Sequence, residues 1–370
     1  MRNLVALAMP GGPGLVDALQ RIWDDGDAVF PIDLRLPKPA RDRVLQAMAP
    51  SAVVDDSGER SALSGARPIG QGDALVVATS GSSGEPKGVV LTHDAVQASA
   101  LATTGRIGRD PGDHWLACLP PAHVGGLSVF TRALAMDIPL TVLPTVDPGE
   151  ILASKATLIS LVPAALDRVD IGQFRCIVLG GSRPPTDRPA NSVATYGMTE
   201  TGSGIVYDGY PLDGVELRMV EGRIEVRGSM LLRAYRSGHD PKSADGWLPT
   251  GDLGSLADDG RLTVFGRAGD LIITGGENVW PETVEAVLRR HPAVADVAVA
   301  GVTDPTWGQA VTALVVPADR AALPTLDQLR DWVKTELPAF CAPHAMSLVT
   351  AIPRTALGKI RRAELTALVT

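Results

Sequence analysis

Residues 79–88 are Thr79-Ser80-Gly81-Ser82-Ser83-Gly84-Glu85-Pro86-Lys87-Gly88. This segment follows the short apolar run Ala74–Thr79, which is typical of a buried strand. Its glycines let backbone N–H groups turn toward a ligand, its hydroxyl side chains add donors, and Lys87 adds a positive charge. These groups suit a polyphosphate, although their spacing differs from that of a Walker A loop. A flexible Ser/Gly linker is the alternative, but a linker does not explain Pro86-Lys87-Gly88 directly before the strand-like run Val89–Leu91.

The composition limits the classes of partner. The chain has 370 residues, and 42 acidic against 34 basic side chains give a formal net charge of −8. Because no run of Lys or Arg offsets this charge, nucleic acid is not expected as a partner. No stretch approaches the roughly 18 uncharged apolar residues of a membrane-spanning helix, so no membrane partner is expected either. Three widely separated cysteines, Cys118, Cys176 and Cys341, are typical of reduced thiols, and we expect a cytoplasmic protein.

Strand-like and helix-like segments alternate up to about residue 213. Strands are predicted at Ala74–Thr79, Trp115–Leu119, Leu140–Leu143, Thr157–Val162 and Cys176–Leu179. Helices are predicted at Thr92–Arg106 and Gly126–Met136. This alternation indicates the α/β class, with sheets and helices in layers.

The pattern changes after Asp213. Antiparallel strands are predicted first, at Val215–Val220, Arg223–Arg227, Asp252–Leu256 and Arg261–Phe265. A new series of strands and helices follows, at Leu271–Thr274, Pro281–Arg290, Val294–Val302, Val311–Val316 and Thr325–Leu337. We therefore predict a large mixed α/β N-terminal domain over residues 1–267, which includes the small antiparallel unit. A small α+β C-terminal domain over residues 268–370 is joined to it by a hinge.

The segment 79–88 matches the phosphate-loop signature of the adenylate-forming superfamily of acyl-CoA synthetases, peptide-synthetase adenylation domains and luciferases. The chain resembles this superfamily in further motifs, which follow in the family's order: Pro120–Leu127, Tyr196–Glu200, Thr250–Asp252, Gly266-Arg267 with Asp270, Gly275–Pro281 and Pro353–Lys359. Residues 26–37 also resemble an early family motif. The resemblance therefore covers nearly the whole chain, although the usual segment ahead of that early motif is missing.

The resemblance implies a reaction in two halves. A carboxylate attacks the α-phosphorus of ATP with Mg²⁺ to give an acyl-adenylate, and the thiol of CoA then displaces AMP. ATP, Mg²⁺ and the co-substrate CoA are thus the implied cofactors, and a small carboxylic acid is the implied partner. By the same resemblance, the ATP-binding residues are Thr79, Ser80, Gly81, Ser82, Ser83, Gly84, Lys87, Tyr196, Gly197, Met198, Thr199, Glu200, Asp252 and Arg267.

Single residues of these motifs have implied roles. Lys359 matches the lysine that catalyses adenylation, and a solvated surface lysine is the alternative. Glu200 is the implied Mg²⁺ ligand, since hard cations prefer carboxylate oxygens, and an acidic residue at a helix N-terminus is the alternative. Asp252 would accept hydrogen bonds from the ribose hydroxyls, and a turn aspartate is the alternative. Arg267 would bind ribose or phosphate, or else form an interdomain salt bridge.

The remaining motifs are implied to bind the acid and CoA. His123 would gate the route between the acyl pocket and the thiol, and a purely structural histidine is the alternative. Gly180-Gly181-Ser182 would line the nucleotide and acyl pocket, where small residues allow close approach. Asp270 matches the hinge position, and rotation of the small domain would bring Gly275-Gly276 to the thiol channel.

Residues 196–215 resemble those of compact o-succinylbenzoate–CoA ligases of menaquinone biosynthesis. That resemblance implies o-succinylbenzoate as the acid, with Arg183 either paired to its aromatic carboxylate or exposed on a loop. One alternative is a CoA ligase for another aryl or acyl acid. Another is a non-catalytic homologue that serves as a scaffold, although the presence of Lys359, Glu200 and Asp252 argues against it. The short N-terminal segment leaves a homodimer contact open.

Overall fold

The computed structural model of the protein describes residues 2–80, 85–185, 187–354 and 360–369. Residue contacts divide the chain into two compact units. The first unit consists of Met1–Arg218, Glu225–Pro249 and Leu256–Leu262, and the second consists of Met219–Ile224, Thr250–Ser255 and Thr263–Thr370. Within the described ranges, each helix is too short or too polar to span a bilayer.

The strands of the described residues are numbered in chain order. They are β1 (Leu4–Ala8), β2 (Ala28–Pro31), β3 (Ala52–Asp55), β4 (Arg60–Ala62), β5 (Asp73–Ser80), β6 (Pro86–Thr92), β7 (Trp115–Ala117), β8 (Leu140–Val142), β9 (Leu158–Leu161), β10 (Cys176–Leu179), β11 (Ser192–Gly197), β12 (Gly204–Tyr207), β13 (Tyr210–Pro211), β14 (Glu216–Val220), β15 (Arg223–Arg227), β16 (Ala234–Tyr235), β17 (Leu248–Leu256), β18 (Leu262–Arg267), β19 (Ile272–Thr274), β20 (Glu277–Val279), β21 (Val294–Asp304), β22 (Gly308–Pro317) and β23 (Ala345–Leu348). The α-helices are α1 (Pro13–Asp24), α2 (Lys38–Met48), α3 (His93–Ile107), α4 (Val124–Met136), α5 (Pro148–Ala153), α6 (Pro281–Leu288) and α7 (Leu326–Lys334).

Two seven-stranded sheets form the framework of the first unit. Their strand orders are β16-β6-β5-β2-β1-β3-β4 and β13-β12-β11-β10-β9-β7-β8. In the first sheet β5, β2, β1 and β3 are parallel, and in the second sheet β11, β10, β9, β7 and β8 are parallel. Strands β2, β9 and β10 are buried at every position, as expected for parallel strands that are covered on both faces.

Helix α3 links the two sheets. It packs on β5 and β6 of the first sheet, on β12 of the second sheet and on α4. Its first turn is capped by Thr92, whose side-chain oxygen accepts a hydrogen bond from the Ala95 amide at 3.1 Å. The helix predicted from Thr92 is therefore confirmed, and it holds the first sheet against the second.

A five-stranded sheet with α6 and α7 forms the C-terminal part of the second unit. Strands β21 and β22 are antiparallel, and β23 joins β22 in parallel. Alternate residues of β21 enter two different cores, because Val297 and Val299 pack with α6 and α7 while Ala298 and Ala300 pack with Leu365.

One carboxylate is buried inside this second unit. Glu285 of α6 is only 1% exposed. It accepts a hydrogen bond from the Val299 amide at 2.9 Å and is paired with Arg362 through contacts of 2.8 and 3.2 Å. The Arg362 side chain is itself mostly buried, so it neutralises a charge that water cannot reach.

The predicted α/β class is confirmed, and most predicted elements are present. Strand β10 has the predicted bounds, and α7 is shorter than predicted but is capped by Thr325 and Gln328 as the sequence indicates. The turn Glu221-Gly222 has positive φ at both residues, 51° and 74°, which favours a tight hairpin. Helices α1 and α2 were not predicted.

Replacing Arg362 with methionine should destabilise the second unit. Glu285 would lose its buried cation, and breaking a buried ion pair costs about 3–5 kcal/mol. Native-state hydrogen exchange of the β21 and β22 amides measures the loss. Arg290→Met is the control, because Arg290 pairs with Glu336 at the surface with 58% of its side chain exposed, and it should cost less than about 1 kcal/mol. Equal protection in the two variants would contradict this assignment.

Candidate active site

The predicted site residues of the first unit follow the carboxyl ends of parallel strands. Strand β5 leads into the predicted phosphate loop, and its parallel neighbour β2 leads into Asp33. In the second sheet, β7, β10 and β11 lead toward His123, Gly180 and Met198. Carboxyl ends of parallel strands meet at one edge of a sheet, which is where open α/β sheets bind ligands.

The predicted phosphate loop is described only at its two ends. Thr79 lies opposite Lys87, and Ser80 lies opposite Pro86, in the antiparallel pairing of β5 with β6. Gly81, Ser82, Ser83 and Gly84 lie outside the described residues, and so does Lys359. The roles of these five residues remain predictions.

Lys87 and Glu200 are linked through a tyrosine. The Lys87 ammonium lies 5.5 Å from the centre of the Tyr235 ring, and the Tyr235 hydroxyl donates to Oε1 of Glu200 at 2.9 Å. The main chain of Glu200 is also fixed, since its carbonyl accepts a hydrogen bond from the Leu232 amide at 2.7 Å. Tyr235 belongs to no recognised motif, and no local pattern indicates this contact.

The donor set around Glu200 fits a magnesium ion that arrives with ATP. Across the described ranges, no three His, Cys, Asp or Glu side chains converge to hold a metal ion. The predicted protein ligand here is the carboxylate of Glu200. Mg²⁺ is commonly bound by one or two carboxylates while phosphates and water molecules complete its octahedron, so this donor set suits Mg·ATP.

Close backbone packing shapes the chain before Glu200. At Gly197 a Cβ atom would lie 2.3 Å from the carbonyl oxygen of Ser203, so only glycine fits. The following turn, Thr199–Thr201, is closed by Thr201, whose hydroxyl accepts from the Met198 amide at 2.9 Å. Tyr196 and Gly197 end β11, and this turn therefore leaves the sheet in a fixed direction.

Gly180 and Gly181 follow the neighbouring strand β10. A Cβ atom at Gly180 would lie 2.8 Å from Oγ1 of Thr195, and Gly181 has a φ of 85°, which favours glycine. Gly180, Gly181 and Ser182 thus lie at the same sheet edge as Tyr196–Glu200, because β10 and β11 are parallel neighbours.

His123 contacts two residues that the sequence analysis did not single out. Its Nε2 atom lies 2.8 Å from Nη2 of Arg35 and 3.2 Å from Oδ2 of Asp33. Both residues follow β2, and both lie within the early motif 26–37, which is the signal that could have identified them. Burial alone would raise the pKa of Asp33, but the hydrogen bonds from Arg35, the contact with His123 and the charge of Arg35 outweigh burial and hold the pKa well below its ordinary value.

Asp252 and Arg267, in the second unit, form an ion pair. Nε of Arg267 lies 3.0 Å from Oδ1 of Asp252, and Nη1 of Arg267 donates to the Thr250 carbonyl at 2.8 Å. Asp252 is only 5% exposed. The salt bridge of Arg267 thus lies within one unit and orients the carboxylate that is predicted to bind ribose.

Asp270 is paired with Arg362. Nε of Arg362 lies 3.3 Å from Oδ2 of Asp270. Burial raises the pKa of Asp270, and the charges of Arg362 and Arg267 oppose that rise. Gly275 and Gly276 form the turn between β19 and β20 with φ values of 58° and 88°, so their immediate role in the structure is to close a hairpin.

Two protein-family models match the chain. The AMP-binding enzyme family matches residues 66–224, and the AMP-binding enzyme C-terminal domain matches residues 283–359. The first match contains His123, Gly180 and Glu200, and the second contains Lys359. The fold and the matched segments together define the class of AMP-binding enzymes.

Relatives narrow the class. The chain is 40% identical over 359 residues to a probable 2-succinylbenzoate–CoA ligase of Mycobacterium tuberculosis, covering 88% of this chain and 93% of that protein. It is 34% identical over 334 residues to the 2-succinylbenzoate–CoA ligase of Bacillus cytotoxicus, covering 78% of this chain and 69% of that protein. The chain belongs to the 2-succinylbenzoate–CoA ligase family.

Solved structures agree with this assignment. The o-succinylbenzoate CoA synthetase of Bacillus subtilis in complex with the acyl-adenylate intermediate matches with a TM-score of 0.87 and 27% identity, covering 98% of this chain and 88% of that one. The same enzyme in complex with ATP and magnesium ion matches with a TM-score of 0.86 and 28% identity, covering 98% and 89%.

Replacing Gly197 with alanine should destabilise the first unit and weaken ATP binding. The new Cβ would press on the Ser203 carbonyl, and overpacking of this kind costs about 1–3 kcal/mol. Thermal unfolding and calorimetric titration with ATP measure the two effects. Gly14→Ala is the matched control, since a Cβ at Gly14 meets nothing within 4 Å. Lower stability with unchanged ATP affinity would show that the turn at Glu200 does not contribute to nucleotide binding.

Proposed function

We propose that the chain is an ATP-dependent ligase that converts o-succinylbenzoate into its CoA thioester through an acyl-adenylate. The observation that carries the proposal is the 40% identity with the M. tuberculosis protein, which extends over 93% of that protein's length. The alignment of predicted site residues along parallel strand ends supports it, because a nucleotide and a small acid require such an edge.

The first unit would bind the phosphates of ATP. The amides and hydroxyls of residues 79–84 would donate to phosphate oxygens, and Lys87 would supply a positive charge beside them. Glu200 would hold Mg²⁺, which neutralises charge on the phosphate oxygens when it is bound. The hydrogen bond from Tyr235 to Oε1 of Glu200 supports this role, since it leaves the carboxylate oriented by a fixed donor.

Asp252 would accept hydrogen bonds from the ribose hydroxyls. Arg267 fixes one of its oxygens at 3.0 Å, and the low exposure of Asp252 keeps competing water away. A bound ribose would therefore meet an acceptor whose direction is already set.

The chemistry has two balanced steps. In the first, an oxygen of the acid bonds to the α-phosphorus of ATP and the bond to pyrophosphate breaks. In the second, the sulfur of CoA bonds to the acyl carbon and the bond to AMP breaks. Lys359 would stabilise the charge on the phosphoryl oxygens in the first step, and an ammonium about 4 Å away contributes up to about 4 kcal/mol at an effective dielectric near 20.

The domain assignment and the setting of the enzyme are part of the proposal. We place the N-terminal domain at residues 1–267 and the C-terminal domain at residues 268–370, with Asp270 at the hinge, Gly275 and Gly276 on the thiol side, and His123, Gly180, Gly181 and Ser182 on the acyl side. A cytoplasmic location and a homodimer belong to the proposal as well.

The proposal is tested with a panel of acids. ATP–pyrophosphate exchange and AMP release are measured with o-succinylbenzoate, benzoate and a fatty acid, each with ATP, Mg²⁺ and CoA. We expect exchange and AMP release with o-succinylbenzoate and with neither of the other two acids. Exchange with another acid alone would assign a different CoA ligase, and absence of exchange with every acid would support a non-catalytic homologue.

Lys359→Ala serves as the chemical control in this panel. A loss of about 4 kcal/mol corresponds to a fall in exchange of roughly 10³-fold, while transfer of the acyl group from supplied acyl-adenylate to CoA should be largely kept. Lys334→Ala is the matched variant, since Lys334 pairs with Asp331 at the surface. Normal adenylation by Lys359→Ala would remove that lysine from the mechanism.

Asp270→Pro should slow thioester formation more than ATP–pyrophosphate exchange. Proline fixes φ, so it would restrict the rotation that the second step is proposed to need. Asp270→Asn leaves the backbone at residue 270 free to rotate but removes the charge that pairs with Arg362. Comparing the two variants therefore separates the effect of backbone rotation from the effect of the ion pair. Stopped-flow measurement of each half-reaction gives the comparison, and equal losses in both halves would count against a hinge at this residue.

A further inference from the structure

Asp33, Arg35 and His123 form a three-residue cluster at the ends of two sheets. Asp33 and Arg35 follow β2 of the first sheet, and His123 follows β7 of the second and precedes α4. Nε and Nη2 of Arg35 each lie 2.8 Å from one carboxylate oxygen of Asp33. The guanidinium is therefore held in one orientation by a bidentate pair.

The hydrogen atoms of this cluster can be assigned. Nη2 of Arg35 carries two of them, and it lies 2.8 Å from both Oδ2 of Asp33 and Nε2 of His123. Arginine has donors and no acceptor, so the 2.8 Å contact is a hydrogen bond when Nε2 of His123 accepts. A ring with a hydrogen on Nε2 would instead direct it toward Asp33 at 3.2 Å, and that hydrogen would also face the guanidinium.

The surroundings of His123 favour the same arrangement. Among the described residues, the charged groups in contact with its ring are Asp33 and Arg35, and the first turn of α4 contains no acidic residue. The side chain of His123 makes no capping hydrogen bond to α4, although His123 precedes that helix. Its ring is thus oriented by Arg35 rather than by its own helix.

We propose that Asp33 and Arg35 are positioning residues that hold His123 as a neutral ring with its proton on Nδ1. This inference rests on the proposed function only for its catalytic consequence. A neutral ring offers one N–H donor to the acid without a positive charge. It can therefore orient a carboxylate while leaving the negative charge that makes the carboxylate a nucleophile for the α-phosphorus.

The tautomer is measured directly. Protein labelled with ¹⁵N-histidine is examined by long-range ¹H–¹⁵N correlation at about pH 8, where histidine is ordinarily neutral. The chain has six histidines, and the His123→Gln variant identifies the signal of His123. We expect the hydrogen on Nδ1 in the natural protein. A hydrogen on Nε2 would overturn the proposal.

Variants of Arg35 and Asp33 separate positioning from a general structural effect. In Arg35→Met the hydrogen should move to Nε2, because Asp33 becomes the partner of the ring, and kcat for thioester formation should fall by up to about 10²-fold. The double variant Asp33→Ala/Arg35→Met removes that acceptor and should lose the preference for Nε2. Arg35→Lys keeps a cationic donor and should retain the Nδ1 tautomer and part of the activity.

The spectra decide the outcome independently of the substrate. A protein that lacks activity with o-succinylbenzoate would contradict the proposed function, and the tautomer measurement would still test the cluster. Should Arg35→Met fail to fold, Arg35→Lys and Asp33→Asn provide the comparison. An Nδ1 tautomer that persists in Arg35→Met, or in Arg35→Ala where Arg35→Met does not fold, would show that Arg35 does not set it.

Discussion

Parallel pairing of strands is the constraint on which the candidate site depends. It brings the end of β2 beside the end of β5, and the end of β7 to the same edge as those of β10 and β11. A strand of four residues spans about 13 Å, so reversing one strand would carry its site residue to the opposite edge. The helices that connect parallel strands also cover both faces of the sheets, which explains why β2, β9 and β10 are buried at every position.

Close packing behind the site converts this layout into fixed directions. Gly197 approaches the Ser203 carbonyl so closely that the backbone of the turn bearing Glu200 is restricted to one path. Gly180 approaches Thr195 of the neighbouring strand in the same manner. Glu200 is then held at its carbonyl by Leu232 and at its side chain by Tyr235. A carboxylate held in this way loses little conformational entropy when it binds a ligand, and pre-orientation of this kind lowers the cost of binding.

Local patterns predicted much of the fold, and long-range contacts account for most of what they missed. Strand β10 was predicted because all four of its residues are apolar, and the start of α7 was predicted because Thr325 and Gln328 form a capping box. Helix α2 fully buries only Met48, and Val44, Leu45 and Ala47 pack partly buried against the core beside it, so its apolar face is narrow. The site motifs were recognised by resemblance, whereas Tyr235 lies 35 positions from Glu200 and Arg362 lies 77 positions from Glu285. Contacts over such separations are set by the tertiary fold, so no local pattern indicates them.

Three aspartates at the predicted motifs share one arrangement. Asp33, Asp252 and Asp270 are each paired with an arginine, namely Arg35, Arg267 and Arg362. The protein has a formal net charge of −8, and its proposed substrates are anions, so unpaired carboxylates near the site would repel them. Pairing with Arg35 and Arg267 offsets the charges of Asp33 and Asp252, whereas Arg362 is shared between Asp270 and Glu285 and offsets only part of their charge. The arginines therefore let these aspartates serve as fixed hydrogen-bonding groups with less negative charge, and in the proposed function the attraction of anions is left to Lys87, to backbone amides and to the metal ion that accompanies ATP.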